Sequence, residues 1–198
     1  MVFSSEDGLV LASASRYRKA LLEQVRLRHT VCPADIDESA RKDESPAALA
    51  TRLACRKAHA VAPRYPASLI IGSDQVASID GRSAFSKPVD HAGAVAQLSA
   101  MSGRTVLFHT SVCVLNARNG TERTALVPTE VHFRTLNPEL IERYLRVDQP
   151  YDCAGSARIE GLGIALVDRV RSDDPSALLG LPLIALLDLL AAEGVCPL

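Results

Sequence analysis

Ser13, Ser15, Arg16, Arg18 and Lys19 gather hydroxyls and cations between a short apolar segment and a stretch of helical apolar period. A helix start presents free N–H groups and the positive end of the helix dipole, and cations beside it add charge-assisted bonds to phosphate oxygens. The run can therefore cradle a polyphosphate, or it can cap a helix whose basic first turn is solvated. Asp74, in IIGSDQV, is a carboxylate carried by apolar, strand-like residues. Desolvating it is costly, so a metal, a cation or a hydrogen-bond network must satisfy it, unless it sits just past the strand end.

Four further residues matter only if the fold brings them to the same place. Lys57 and Lys87 are cations that either converge on the acid or stay on the surface. Glu38, in DIDES, is a second acid that can hold Mg²⁺ together with Asp74, since Mg²⁺ takes a few carboxylates plus water and phosphate oxygens. The alternative for it is a solvated loop. Glu160 stands between Ile159 and Gly161 in a glycine-punctuated stretch where backbone can approach a planar ligand, or where it is simply an exposed strand residue.

Other chemistries find no support. No Walker loop (GxxxxGK followed by Ser or Thr), HExxH or HxH occurs, so neither a P-loop nor a zinc hydrolase is indicated. The five cysteines form no CxxC pair and no metal-finger spacing, and their odd number argues for reduced thiols. With 22 basic against 23 acidic side chains, the net charge of -1 gives no field for a nucleic-acid polymer or an anionic membrane, so anion recognition must be local. The acidic N-terminal residues and the lack of a long apolar run predict a cytoplasmic protein without a membrane span.

The elements that must position these residues follow from periodicity and punctuation. Leu9 to Ala12 predict a strand and Ala20, Leu21, Leu22 and Val25 a helix after it. Ser45-Pro46 starts a second helix that runs to about Ala62. SLIIGSDQVASID predicts a strand with Asp74 within or just beyond it, turning at Asp80-Gly81. A helix at 90–101, a long hairpin about Asn119-Gly120, a helix from about Pro138 to Val147 and a final core helix from LPLIALLDLL complete the chain. This order predicts one α/β domain over residues 1–198, with no repeat or linker to divide it.

Taken together, LVLASASRYRKALLEQV, DIDES, RLACRKA, LIIGSDQV, SKP, CAGSARIEGLG and LLGLPL resemble, in order, the successive motifs of the Maf family. The resemblance spans residue 9 to about 187. It implies a mixed, twisted sheet flanked by helices, with a cleft for nucleotide and metal. It also implies a pyrophosphatase that cleaves nucleoside triphosphates between the α and β phosphates with a divalent metal, Mg²⁺ or Mn²⁺, and that is often a homodimer.

Carried over by position, Asp74 matches the catalytic acid that takes a proton from the attacking water. Ser13, Arg18, Lys57 and Lys87 match phosphate contacts, and Glu38 an acid beside the metal. Gln75 and Glu160 stand where the branch acting on dTTP and UTP has threonine and glutamine, and so match the branch acting on 7-methyl-GTP. Tyr17 stands where that branch often has tryptophan and can stack on an electron-poor base. Glu160 can pair with the cationic N7-methylguanine or accept from its N1–H and amino edge. Arg16 departs from the usual proline, and Ser86 from the usual glycine before Lys87. Such an enzyme removes modified nucleotides from the pool. Two rivals share these residues: a pyrophosphatase for dTTP, UTP or other nucleotides, and a nucleotide-binding regulator of septum formation without turnover.

Overall fold

A computed structural model describes residues 8–81, 84–85, 88, 90–151, 153–196 and 198. Lys87 lies outside them. The predicted elements are all present: β1 (Leu9–Leu11), α1 (Arg16–Gln24), α2 (Pro46–Val61), β3 (Leu69–Ser78), α3 (His91–Met101), β5 (Thr105–Asn116), β6 (Thr121–Phe133), α4 (Pro138–Asp148) and α5 (Leu183–Ala191). Three strands are additional: β2 (Thr30–Val31), β4 (Ala84–Phe85) and β7 (Val167–Ser172).

The strands form a mixed sheet in the order β2-β1-β3-β5-β6-β7, with β4 paired to the far end of β3. β1 runs parallel to β2 and β3, and the other pairings are antiparallel. Side-chain alternation divides the core. Leu69 and Ile71 of β3, with Val112 and Val114 of β5, pack against Leu21 and Leu22 of α1 and Leu186 and Leu190 of α5. Ile70 of β3 and Cys113 and Leu115 of β5 face the other way, against Ala54, Ala58 and Val61 of α2. Farther along the hairpin, Phe108 and Phe133 pack with Leu98 and Met101 of α3 and Ile141 and Leu145 of α4.

Two features of this frame create a site. β1 pairs with β3 from Leu9–Leu69 to Leu11–Ile71 and ends there, whereas β3 runs on to Ser78 and meets β4 at Ala77 and Ser78. The edge of β3 between those pairings therefore opens where β1 stops. On the α2 face, a Cβ added to Gly72 would lie 2.0 Å from the Ala54 carbonyl oxygen, so only glycine lets helix and strand approach this closely.

Candidate active site

The opening beside β3 is a cleft of about 1030 Å³, and its wall includes Ser13, Arg18, Glu38, Lys57, Asp74 and Glu160. The chain thus brings six residues from five separate segments to one surface. Tyr17 and Gln75 line it as well.

One end of the cleft is built by the start of α1. Ser15 caps the helix, its Oγ accepting from the Arg18 backbone N–H at 3.4 Å. Ser13 Oγ accepts from the Ser15 N–H at 3.1 Å and from Arg18 Nη1 at 3.2 Å. Arg18 Nε donates to the Gly180 carbonyl at 2.7 Å. Burial pushes the Arg18 guanidinium below its ordinary pKa, and the negative charges of Asp74 and Glu38 act in the opposite direction. Lys19, a candidate in the same run, lies outside the cleft and pairs with Glu23 at 3.6 Å on the exposed side of α1.

The acid end is built by β3 and α2. Asp74 follows Ile70 and Gly72 at strand period on the α2 face, within the strand and only 7% exposed. Lys57, also 7% exposed, donates from Nζ to Asp74 Oδ1 at 2.5 Å and pairs with Glu38 Oε1 at 2.7 Å. The Lys57 ammonium thus satisfies the buried carboxylate, and Glu38 shares that ammonium. Glu38 is held over the cleft because its neighbours are tied to α2: Arg52 Nη2 donates to the Ser39 carbonyl at 2.9 Å and Arg56 Nη1 to the Asp37 carbonyl at 3.0 Å. Glu44 grips Arg52 through both oxygens, at 2.6 and 2.7 Å. These three residues escaped sequence reasoning, although Arg52 and Arg56 stand one helical turn apart beside Lys57, a spacing that could have flagged them.

On the opposite face of β3, Ser73 Oγ lies 2.8 Å from the Gly180 carbonyl, the same oxygen that Arg18 uses. Gly180 has φ +98°, a left-handed conformation that suits glycine. The turn around it is fixed by Asp174, which is 3% exposed and accepts from the Ile184 N–H at 2.7 Å through Oδ2, and by Ser176 Oγ, which accepts from the Leu183 N–H at 2.7 Å. Gln75 Nε2 donates to Thr110 Oγ1 and to the Ala177 carbonyl at 3.0 Å each, and to the Leu178 carbonyl at 3.1 Å. Its amide therefore couples the residue after Asp74 to this turn. Asp174 too was missed, and nothing in its local sequence marks it as the residue that caps α5 from a distance.

At the rim, the Arg16 guanidinium lies 4.8 Å from the Tyr17 ring centroid, and its Nη2 donates to the Tyr17 hydroxyl at 2.6 Å. Glu160 is exposed there. The glycines beside it pack closely against the protein's own Arg158. A Cβ on Gly163 would lie 2.5 Å from the Arg158 carbonyl oxygen, and one on Gly161 would lie 2.7 Å from Arg158 Nε.

Residues 8–193 match the family described as Maf-like protein. Curated relatives named 7-methyl-GTP pyrophosphatase resemble the chain over nearly its whole length. One from Albidiferax ferrireducens is 49% identical over 187 residues, 94% of each chain. One from Burkholderia pseudomallei is 52% identical over 193 residues, covering 96% of this chain and 89% of its own. One from Aromatoleum aromaticum is 52% identical over 187 residues, covering 94% and 96%.

Proposed function

The chain belongs to the Maf family, and from that membership we propose that it is a pyrophosphatase that hydrolyses 7-methyl-GTP to 7-methyl-GMP and pyrophosphate, with residues 1–198 acting as one catalytic domain. The observation that carries the reading is the convergence, in one cleft, of a buried acid with its own cation and a cation-bearing helix start. The names of the relatives at about half identity supply the substrate. A cleft of about 1030 Å³ has room for a nucleoside triphosphate.

In this reading Asp74 accepts a proton from water as its oxygen bonds to the α-phosphorus, the bond from that phosphorus to the α–β bridging oxygen breaks, and pyrophosphate leaves. Lys57, which by resemblance contacts the phosphates, also orients the Asp74 carboxylate through the bond to Oδ1. Ser13, Arg18 and the N–H groups at the start of α1 bind the phosphates, and their positive charge offsets what accumulates on the leaving group. Lys87 is assigned to the same role by resemblance.

The donor set suits Mg²⁺ or Mn²⁺, because Asp74 and Glu38 bring carboxylates from two segments to the same ammonium group in the cleft. A divalent ion held by those two acids would screen the phosphate oxygens. Tyr17 stacks on the methylated base and Glu160 pairs with it, while Gln75 acts on specificity through the turn it holds.

No helix among the described residues is long and apolar enough to cross a membrane. A cytoplasmic location and a homodimer complete the proposal. Sedimentation tests the dimer. The activity is tested by pyrophosphate release from 7-methyl-GTP, GTP, UTP, dTTP and CTP with and without Mg²⁺ or Mn²⁺. Metal-dependent preference for 7-methyl-GTP is expected, and preference for UTP or dTTP would overturn the substrate.

A further inference from the structure

Helix α2 presents a second constellation, toward the hairpin rather than the cleft. Sγ of Cys55 on α2, Sγ of Cys113 on β5 and a carboxylate oxygen of Glu122 on β6 all lie within 4.8 Å of one another. His59, one helical turn beyond Cys55, places Nε2 2.7 Å from Glu122 Oε2. The sheet register explains the meeting. Glu122 pairs with Leu115, which shares with Cys113 the face packed against α2.

Two thiols and a carboxylate so close together have the composition of a thiolate metal site. At Zn–S of about 2.3 Å and Zn–O of about 2.0–2.2 Å, ligand atoms at the corners of a tetrahedron stand about 3.5–3.8 Å apart. The observed spread needs only small side-chain rotations to reach that. Soft sulfur donors favour zinc over the hard ions suited to the oxygen donors Asp74 and Glu38, so the two sites would sort their metals. Cys113 is fully buried, while Cys55 is only partly covered and Glu122 is 37% exposed, which leaves a path for an ion to enter. A histidine hydrogen-bonded to a ligating carboxylate is the outer partner such sites use to fix ligand orientation.

We propose that Cys55, Cys113 and Glu122 bind one Zn²⁺ ion, with His59 orienting Glu122. Each thiol releases its proton to solvent as its sulfur becomes a ligand, and the remaining position is open to water. The ion ties α2, the helix that presents Lys57 to the cleft, to the β5–β6 hairpin.

The test uses the full chain, stripped with a chelator and kept in a phosphine reductant, with Co²⁺ as the probe. The expected result is one equivalent bound with a sulfur-to-cobalt charge-transfer band, displaced by Zn²⁺. Either Cys55→Ser or Cys113→Ser abolishes the band. Because Cys113 is buried and its variant can misfold, Glu122→Gln and His59→Ala serve as surface variants that should weaken binding about 10- to 100-fold. Absence of the band overturns the proposal. So does a band that persists in either serine variant, affinity unchanged in both surface variants, or a Cys55–Cys113 disulfide that survives the reductant.

Discussion

Lys57 and Asp74 meet across a helix–strand contact, Nζ to Oδ1 at 2.5 Å, with both residues only 7% exposed. Neither could be placed there without Gly72, whose missing side chain admits the backbone of α2. The pair is therefore a property of how closely α2 packs, and disturbing either partner or the packing should register in both stability and rate.

Lys57→Met leaves Asp74 in its buried position without a cation. Breaking one side of such a pair typically costs about 3–5 kcal/mol, to be read from urea unfolding. Asp74→Asn added to Lys57→Met should recover part of that loss. Strict additivity of the two substitutions would contradict the coupling.

Gly72→Ala forces a methyl to within 2.0 Å of the Ala54 carbonyl, a backbone atom that cannot rotate away. The helix must retreat, at a cost of about 1–3 kcal/mol or more, and Lys57 retreats with it. Lower unfolding stability should accompany a fall in turnover. Unchanged stability would show that α2 is not held this closely.

Glu160→Gln, alone and with Gln75→Thr, tests the base-recognition assignment. A hydrogen bond to a charged group contributes about 1.5–3 kcal/mol, so the kcat/KM preference for 7-methyl-GTP over UTP should fall about 10- to 100-fold. A ratio that does not move would assign base selection to other residues.

Much of this arrangement was legible in the sequence. Ser45 and Pro46 mark the start of α2, the Ile and Val density marks β3, and the alternation about Asn119-Gly120 marks the hairpin. The additional strands were hidden for physical reasons. β2 and β4 are two residues each, too short to show a period, and β7 is VDRVRS, a largely exposed edge strand following a glycine-punctuated segment. Ser13, Arg18 and Asp74 could be singled out by chemical type. Lys57 could not, because an isolated lysine on a helix reads as solvated until the register of α2 on β3 is known. Cys55 and Cys113 were passed over in the same way, since sequence spacing cannot reveal a pairing made by sheet register.

Acid should loosen the segment that carries Glu38. The Arg52 side chain, and then the Arg41 N–H, pull the Glu44 carboxyl from its ordinary 4.5 down to about 2. A carboxyl depressed on folding stabilises fully above its unfolded value, and that contribution is lost as pH falls from about 4.5 through about 2. Glu44→Gln should therefore be less stable than the parent chain at neutral pH, and the gap should close across that window. A gap independent of pH would contradict the assignment.

The most direct test of the central claim is product analysis of 7-methyl-GTP incubated with the chain and Mg²⁺, beside the Asp74→Asn variant. The account predicts 7-methyl-GMP and pyrophosphate in equal amounts, dependent on the metal, with the rate reduced about 10²- to 10⁴-fold in the variant. Release of inorganic phosphate, or turnover that survives Asp74→Asn undiminished, would contradict it.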